Sequence, residues 1–273
     1  MHSQPVPATT TTPKPRPSGQ NRPSLLRLHR GLPALMAVAV VLCWPGGAAS
    51  AQGRTSVGTT VPSANMVMPV WDLPACPHSY VFWARPTLAC TREQLAYINL
   101  AHRKEGIAPM VLPGWYVTLT IPQQLLVLTN LERQARGLPM FTGLSQSLDG
   151  MALVGAKRMK DPNGPSSVQW GSNWLMFAPS ALYADFVWMY DDGPGSGNPA
   201  CTRTVHWGCW GHRQNILGDY GQSPVMGAAA VSPNSQLSTT ELFAPSAPGP
   251  VWHMPGHIGA AGPGSVLSAA APQ

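Results

Sequence analysis

The tightest constraint on how this chain folds is the placing of its cysteines: Cys76 with Cys90, and much later Cys201 with Cys209. What they do depends on the compartment they reach. The first 30 residues carry Lys14, Arg16, Arg22, Arg27 and Arg30 and no acid. They lead into an apolar stretch over 31–44 and then into small residues ending at Ala51. An apolar core of about 14 residues is short of the roughly 20 a membrane span needs, and small residues follow it, so 1–51 reads as a signal peptide cleaved after Ala51. Cys43 leaves with it. An even set of four cysteines in an exported chain reads as two disulfides, with three possible connectivities. Proximity in sequence favours Cys76 with Cys90 and Cys201 with Cys209.

Charge needs the same correction for the leader. The 17 Lys and Arg, less the five before residue 31, leave 12 bases against 11 acids. Charged residues are 10% of the chain, against about 25% in an average domain. A nearly neutral, sparsely charged body excludes a nucleic-acid partner. No later window has the length of continuous apolar sequence that a transmembrane span requires.

The body divides at its changes in pattern. Residues 52–75 are Ser-, Thr-, Val- and Pro-rich without periodicity, so 52–90 reads as an extended, weakly ordered arm with a disulfide loop. From 91 to 245 the pattern is that of one α+β domain. Thr91 to Gln94 forms a capping box before an apolar face of Leu95, Ile98 and Ala101, with Gly106 as the stop. Thr120 to Gln123 forms a second box, with Pro122 in the first turn and Leu125, Leu128 and Leu131 along the helix. A third helix is expected over 144–160. A fourth starts at the cap Ser180 and carries Leu182, Phe186, Val187 and Tyr190. Two β-type runs, 225–231 and 238–244, flank Ser-Pro-Asn-Ser turn chemistry. Beyond Pro245 the chain has no Asp, Glu, Lys or Arg, so 246–273 reads as a disordered Pro-, Gly- and Ala-rich tail.

Several segments resemble, in chain order, the CAP superfamily of cysteine-rich secretory, antigen 5 and pathogenesis-related proteins in its bacterial, SCP-like form. Gly211-His-Arg-Gln-Asn-Ile-Leu217 is similar to the family's Gly-His-Arg-x-Asn-Ile-Leu signature. Leu131-Glu-Arg-Gln-Ala-Arg-Gly-Leu-Pro139 is similar to its opening helix. The helix over 184–189 resembles the one bearing a Trp-Met pair, and the two late β runs resemble its last strands. The likeness is strongest over 125–245 and implies a three-layer α-β-α sandwich, exported and disulfide-bonded. The family's cleft carries two His and two acids. Residue by residue, the last His falls on His212 and one acid on Asp191, while the other positions hold Gly155 and Ser172. Half the set is missing, which implies no metal and no cofactor.

Three chemical readings of these residues compete. Cys201, His206, Cys209 and His212 have short but feasible zinc spacing, although thiols in an exported protein oxidise. His212, Asp191 and Ser172 have the residue types of a base, its orienting acid and a nucleophile, but no Gly-x-Ser-x-Gly elbow accompanies them. The blander reading has His212 holding the short helix it opens. Trp170, Trp174, Trp188, Trp207 and Trp210 cluster around these positions in sequence. If they line a cleft with His212, Asp191, Ser172 and Asn173, that cleft suits a lipid, a glycan or another surface molecule. The expectation is a secreted, non-catalytic binding module, with a peptidase-like hydrolase using His212 and Asp191 as the alternative.

Overall fold

The computed structural model describes residues 61–79, 81–82, 86–202, 204, 207–256 and 258. These belong to one compact unit, Gln52–Gln273. Residues 1–60, His206 and the residues beyond 258, on which the expected signal peptide and most of the expected tail fall, lie outside the described residues.

The fold is mixed α+β. Its helices are α1 (Leu88–Glu105), α2 (Ile121–Ala135), α3 (Gln146–Lys157), α4 (Ala181–Tyr190) and α5 (Gly211–Leu217). Its strands are β1 (Leu144–Ser145), β2 (Gly171–Met176), β3 (Val225–Val231), β4 (Ser238–Ala244) and β5 (Val251–Trp252). The capping box at Thr120 forms as its sequence suggests, with Gln123 Oε1 accepting the Thr120 N–H at 3.0 Å. The box at Thr91 does not. Thr87 caps α1 instead, its hydroxyl accepting the Cys90 N–H at 3.1 Å. Thr91 is then inside the first turn, bonded back to the Thr87 carbonyl at 3.0 Å. A boundary between 90 and 91 therefore cuts a helix. Gly106 closes α1 in the left-handed region, φ +71°, as a C-terminal cap requires.

The five strands lie in the order β2-β4-β3-β1-β5. Only β1 and β3 run parallel. β3 and β4 keep the bounds read from sequence and pair from Val225↔Ala244 to Val231↔Ser238. Because strand side chains alternate faces, the sheet buries both. Val225, Ala229, Leu242 and Ala244 pack with Leu148, Ala152 and Ala156 of α3. Met226, Ala228 and Phe243 join the larger core with Leu125, Leu128 and Leu131 of α2 and with α1 and α4.

Two expected boundaries move. The described part of the arm is packed rather than loose: Met68, Val70, Leu73 and Cys76 are buried in the larger core, and the Met66 N–H donates to the Tyr190 carbonyl at 2.8 Å. Apolar residues spaced without a regular period still find the core when a disulfide ties them to it. The described start of the expected tail is paired as well, since Val251 and Trp252 pair with Ser145 and Leu144 as β5, and Ile258 is buried. A two-residue strand is too short to leave a period in the sequence. Both short-range cysteine pairs form, Cys76 with Cys90 and Cys201 with Cys209. Among the described residues no helix is long and apolar enough to cross a membrane.

Candidate functional site

The site is built where α4 ends and α5 begins. Between them the chain makes a loop closed by Cys201–Cys209. Trp210 ends that loop in the left-handed region, φ +62°, with its N–H donating to the Asp192 carbonyl at 2.8 Å. Its indole lies against Gly193, where a Cβ would come 2.3 Å from the ring. This turn sets the Asp192 carboxylate under the first residues of α5. It accepts the His212 N–H at 3.0 Å, His212 Nδ1 at 2.7 Å and the Asn198 amide at 2.6 Å. One carboxylate thus satisfies an orphan donor of the helix start, orients the imidazole and pins the loop.

The acid partnering His212 is therefore Asp192 and not Asp191. Asp191 is the residue on which α4 ends. The chain leaves the helix there, and the next carboxylate is the one that turns inward. Burial, then the Asp192 charge, pushes the Asp191 carboxyl up to about 6. A third acid belongs to the same neighbourhood. Partial burial raises the Asp161 carboxyl, His212 pulls it down and Asp192 pushes it up. In the sequence Asp161 reads only as a helix stop.

The remaining expected site residues separate. Ser172, on β2, gives its carbonyl to the Asn215 amide at 2.7 Å. Among the described residues no hydrogen bond joins its side chain to His212. Asn173 is a hub: its amide donates to the His212 carbonyl at 3.3 Å and to Glu241 at 3.4 Å, and its own carbonyl oxygen accepts from Asn215 at 3.1 Å. Trp188 is fully buried, its ring N–H near the Trp174 carbonyl, so it belongs to the core and not to a cleft. Trp210 is also buried, whereas Trp170 and Trp207 face solvent, so the tryptophans do not line one groove. Cys201 and Cys209 are bonded to each other and offer no thiolates for zinc. Among the described residues no group of three His, Cys, Asp or Glu side chains is placed to hold a metal ion.

Beneath the site lies a buried ionic network. Glu132 of α2 accepts from the Tyr190 hydroxyl at 2.8 Å and lies 3.2 Å from His102 Nε2, with Arg136 paired to it one turn on. Arg136 and Arg213 both reach Glu105, at 2.6 and 3.0 Å. Burial alone would raise the Glu132 carboxyl, but Arg136 and His102 prevail and hold it well below the usual carboxylate range. Arg133 is buried beside this network and donates to the carbonyls of Ile216 and Gly218 at 2.7 and 2.8 Å, closing the C-terminus of α5. The i,i+4 pair of Glu132 with Arg136 at the C-terminal end of α2 is the one local sequence signal for the network. Its other members come from three more helices and left no local trace.

Comparison with protein-family models, curated proteins and solved structures finds no match to this chain.

Proposed function

We propose that the chain is an exported binding module of the CAP type, non-catalytic, with a lipid, a glycan or another surface molecule as ligand. The observation that carries this reading is the fate of the segment from Gly211 to Leu217. His212 is tied to Asp192, Arg213 to Glu105 and the Met189 carbonyl, and Asn215 to β2, while Ile216 is fully buried. Residues used as staples hold a surface in shape. The packing of α3 against one set of strand side chains and of α2 against the other is compatible with the three-layer sandwich that the resemblance implies. The two disulfides are compatible with export.

One observation favours the hydrolase alternative. The His212 side chain keeps 19% of its surface exposed while Nδ1 is held by a carboxylate only 1% exposed. This is how a general base is oriented, with Asp192 taking the part expected of Asp191. Substitution separates the two. In a binding module His212→Ala strips the best partner from a buried carboxylate, which costs about 2 kcal/mol and lowers Tm by about 4–8 °C. Calorimetry of the variant beside assays of peptide and ester hydrolysis is the test. Hydrolysis by the wild type that vanishes in the variant at unchanged Tm overturns the binding-module reading.

A further inference from the structure

A pocket of about 130 Å³ lies at the C-terminal end of α3, lined by that end of the helix and by residues 160–163. It exists because residue 155 is glycine: a Cβ there would come 2.8 Å from the Pro162 backbone, so only glycine lets the chain fold back across the helix. This is the position at which the family resemblance would place a histidine.

The lining has two characters. Met151, Val154 and Arg158 follow one another at i, i+3 and i+7, which puts them on one stripe of α3. Met151 is 36% and Val154 48% exposed, although Ala152 and Ala156 of the same helix are fully buried. The polar side is cationic. Arg158 and Lys160 line the pocket, and neither forms an ion pair with a carboxylate among the described residues. Asp161 also lines it and subtracts one charge, leaving the balance positive. The C-terminal end of α3 by itself disfavours an anion, an effect lessened where the N–H groups of Arg158, Met159 and Lys160 bond to the carbonyls of Val154, Gly155 and Ala156. Arg158, Lys160 and Asn163 each bring a donor-bearing side chain to the lining, the type of group from which phosphate oxygens accept. The volume takes a phosphate headgroup and little more. An attached alkyl chain has exposed Val154 and Met151 to lie on.

We infer that this pocket binds a phosphate group carried on an aliphatic chain, with Arg158 and Lys160 holding the phosphate and Met151 and Val154 the chain. The ligand class rests on the reading of the protein as a binding module.

Calorimetric titration of the full, disulfide-bonded chain tests it with decyl phosphate, decyl glucoside and inorganic phosphate, the amphiphiles kept below micellar concentration. Decyl phosphate is expected to bind one per chain, at least about tenfold tighter than inorganic phosphate. R158Q/K160Q is expected to lose at least about tenfold at unchanged Tm, because both side chains are exposed. R103Q/K104Q, which removes equal charge from the end of α1, is expected to bind as the wild type does. Vesicles of phosphatidylcholine containing phosphatidic acid identify the source: binding there that R158Q/K160Q abolishes points to a membrane headgroup, and binding of the monomer alone to a free amphiphile. Decyl phosphate affinity unchanged in R158Q/K160Q overturns the proposal, as does equal affinity for inorganic phosphate. Decyl glucoside bound as tightly, and insensitive to R158Q/K160Q, overturns the phosphate site but leaves the binding module standing. No saturable binding of any probe overturns the site, and a wider panel of lipids and glycans that also fails overturns the module.

Discussion

Glu241 shows what burial does to a single ionisable group here. It sits in β4, fully buried, accepting from Thr129 at 2.9 Å and Asn173 at 3.4 Å. Burial outweighs both hydrogen bonds and pushes its carboxyl from the ordinary 4.5 up to about 8. Asp185 shifts the same way, raised by burial and then by Glu132 and Glu241, and neither of its oxygens has a hydrogen-bond partner among the described residues. A carboxyl raised on folding stays protonated in the native state while the unfolded chain ionises. Its stabilising effect is full below 4.5 and is lost as pH rises towards 8. Glu132 acts in the opposite sense, since its lowered carboxyl contributes above 4.5 and fails in acid. Between those limits wild-type stability is expected to fall as pH rises. Glu241→Gln should flatten that slope and gain on the order of a few kcal/mol near pH 8, read by urea unfolding across pH. An unchanged slope would place the Glu241 carboxyl in its ordinary range.

Helices and strands here are held by contacts that their own sequences only half announce. α3 lies so close to β3 that a Cβ on Gly227 would come 2.2 Å from the Leu148 backbone. Gly227→Ala is expected to force the helix off the sheet and cost about 1–3 kcal/mol or more. Gly150, in the same helix, has nothing within 4 Å of where its Cβ would be. Gly150→Ala should be neutral or stabilise by about 0.5–1 kcal/mol. Thermal unfolding of the two variants measures the contrast, and equal effects would mean that α3 does not pack as described. Nothing in the local sequence around either glycine reveals this difference, because one is defined by a neighbouring element and the other by solvent.

Over the whole molecule the two disulfides close loops of different length, with sequence separations of 14 and 8. In the chain-entropy view their removal costs about 3 and about 2.5 kcal/mol. Cys76→Ser with Cys90→Ser should also free the packed segment around Met68 and Val70. Cys201→Ser with Cys209→Ser should loosen the loop that pins Asp192. Hydrogen exchange at Met66 and at His212 distinguishes them, each amide being expected to lose protection in its own variant. Protection lost at both amides in either variant would show that the links act only through global stability.

Local features are legible in the order of residues alone. These are the cap at Thr120, the stop at Gly106, the bounds of β3 and β4, and the pairing of cysteines close enough to meet. Each of these is decided within a few residues, by the helical or strand period or by short loop closure. Packing between segments distant in the chain turns Asp192 rather than Asp191 towards His212, puts Trp188 in the core, and draws 61–79 and 251–252 into the fold. It alone brings Glu105, Glu132, Arg136, Tyr190 and Arg213 together from four helices. A helix end fixes which residue stops, but not which way the next carboxylate turns. Two-residue strands and buried ion pairs are set by partners distant in sequence, and no period encodes them.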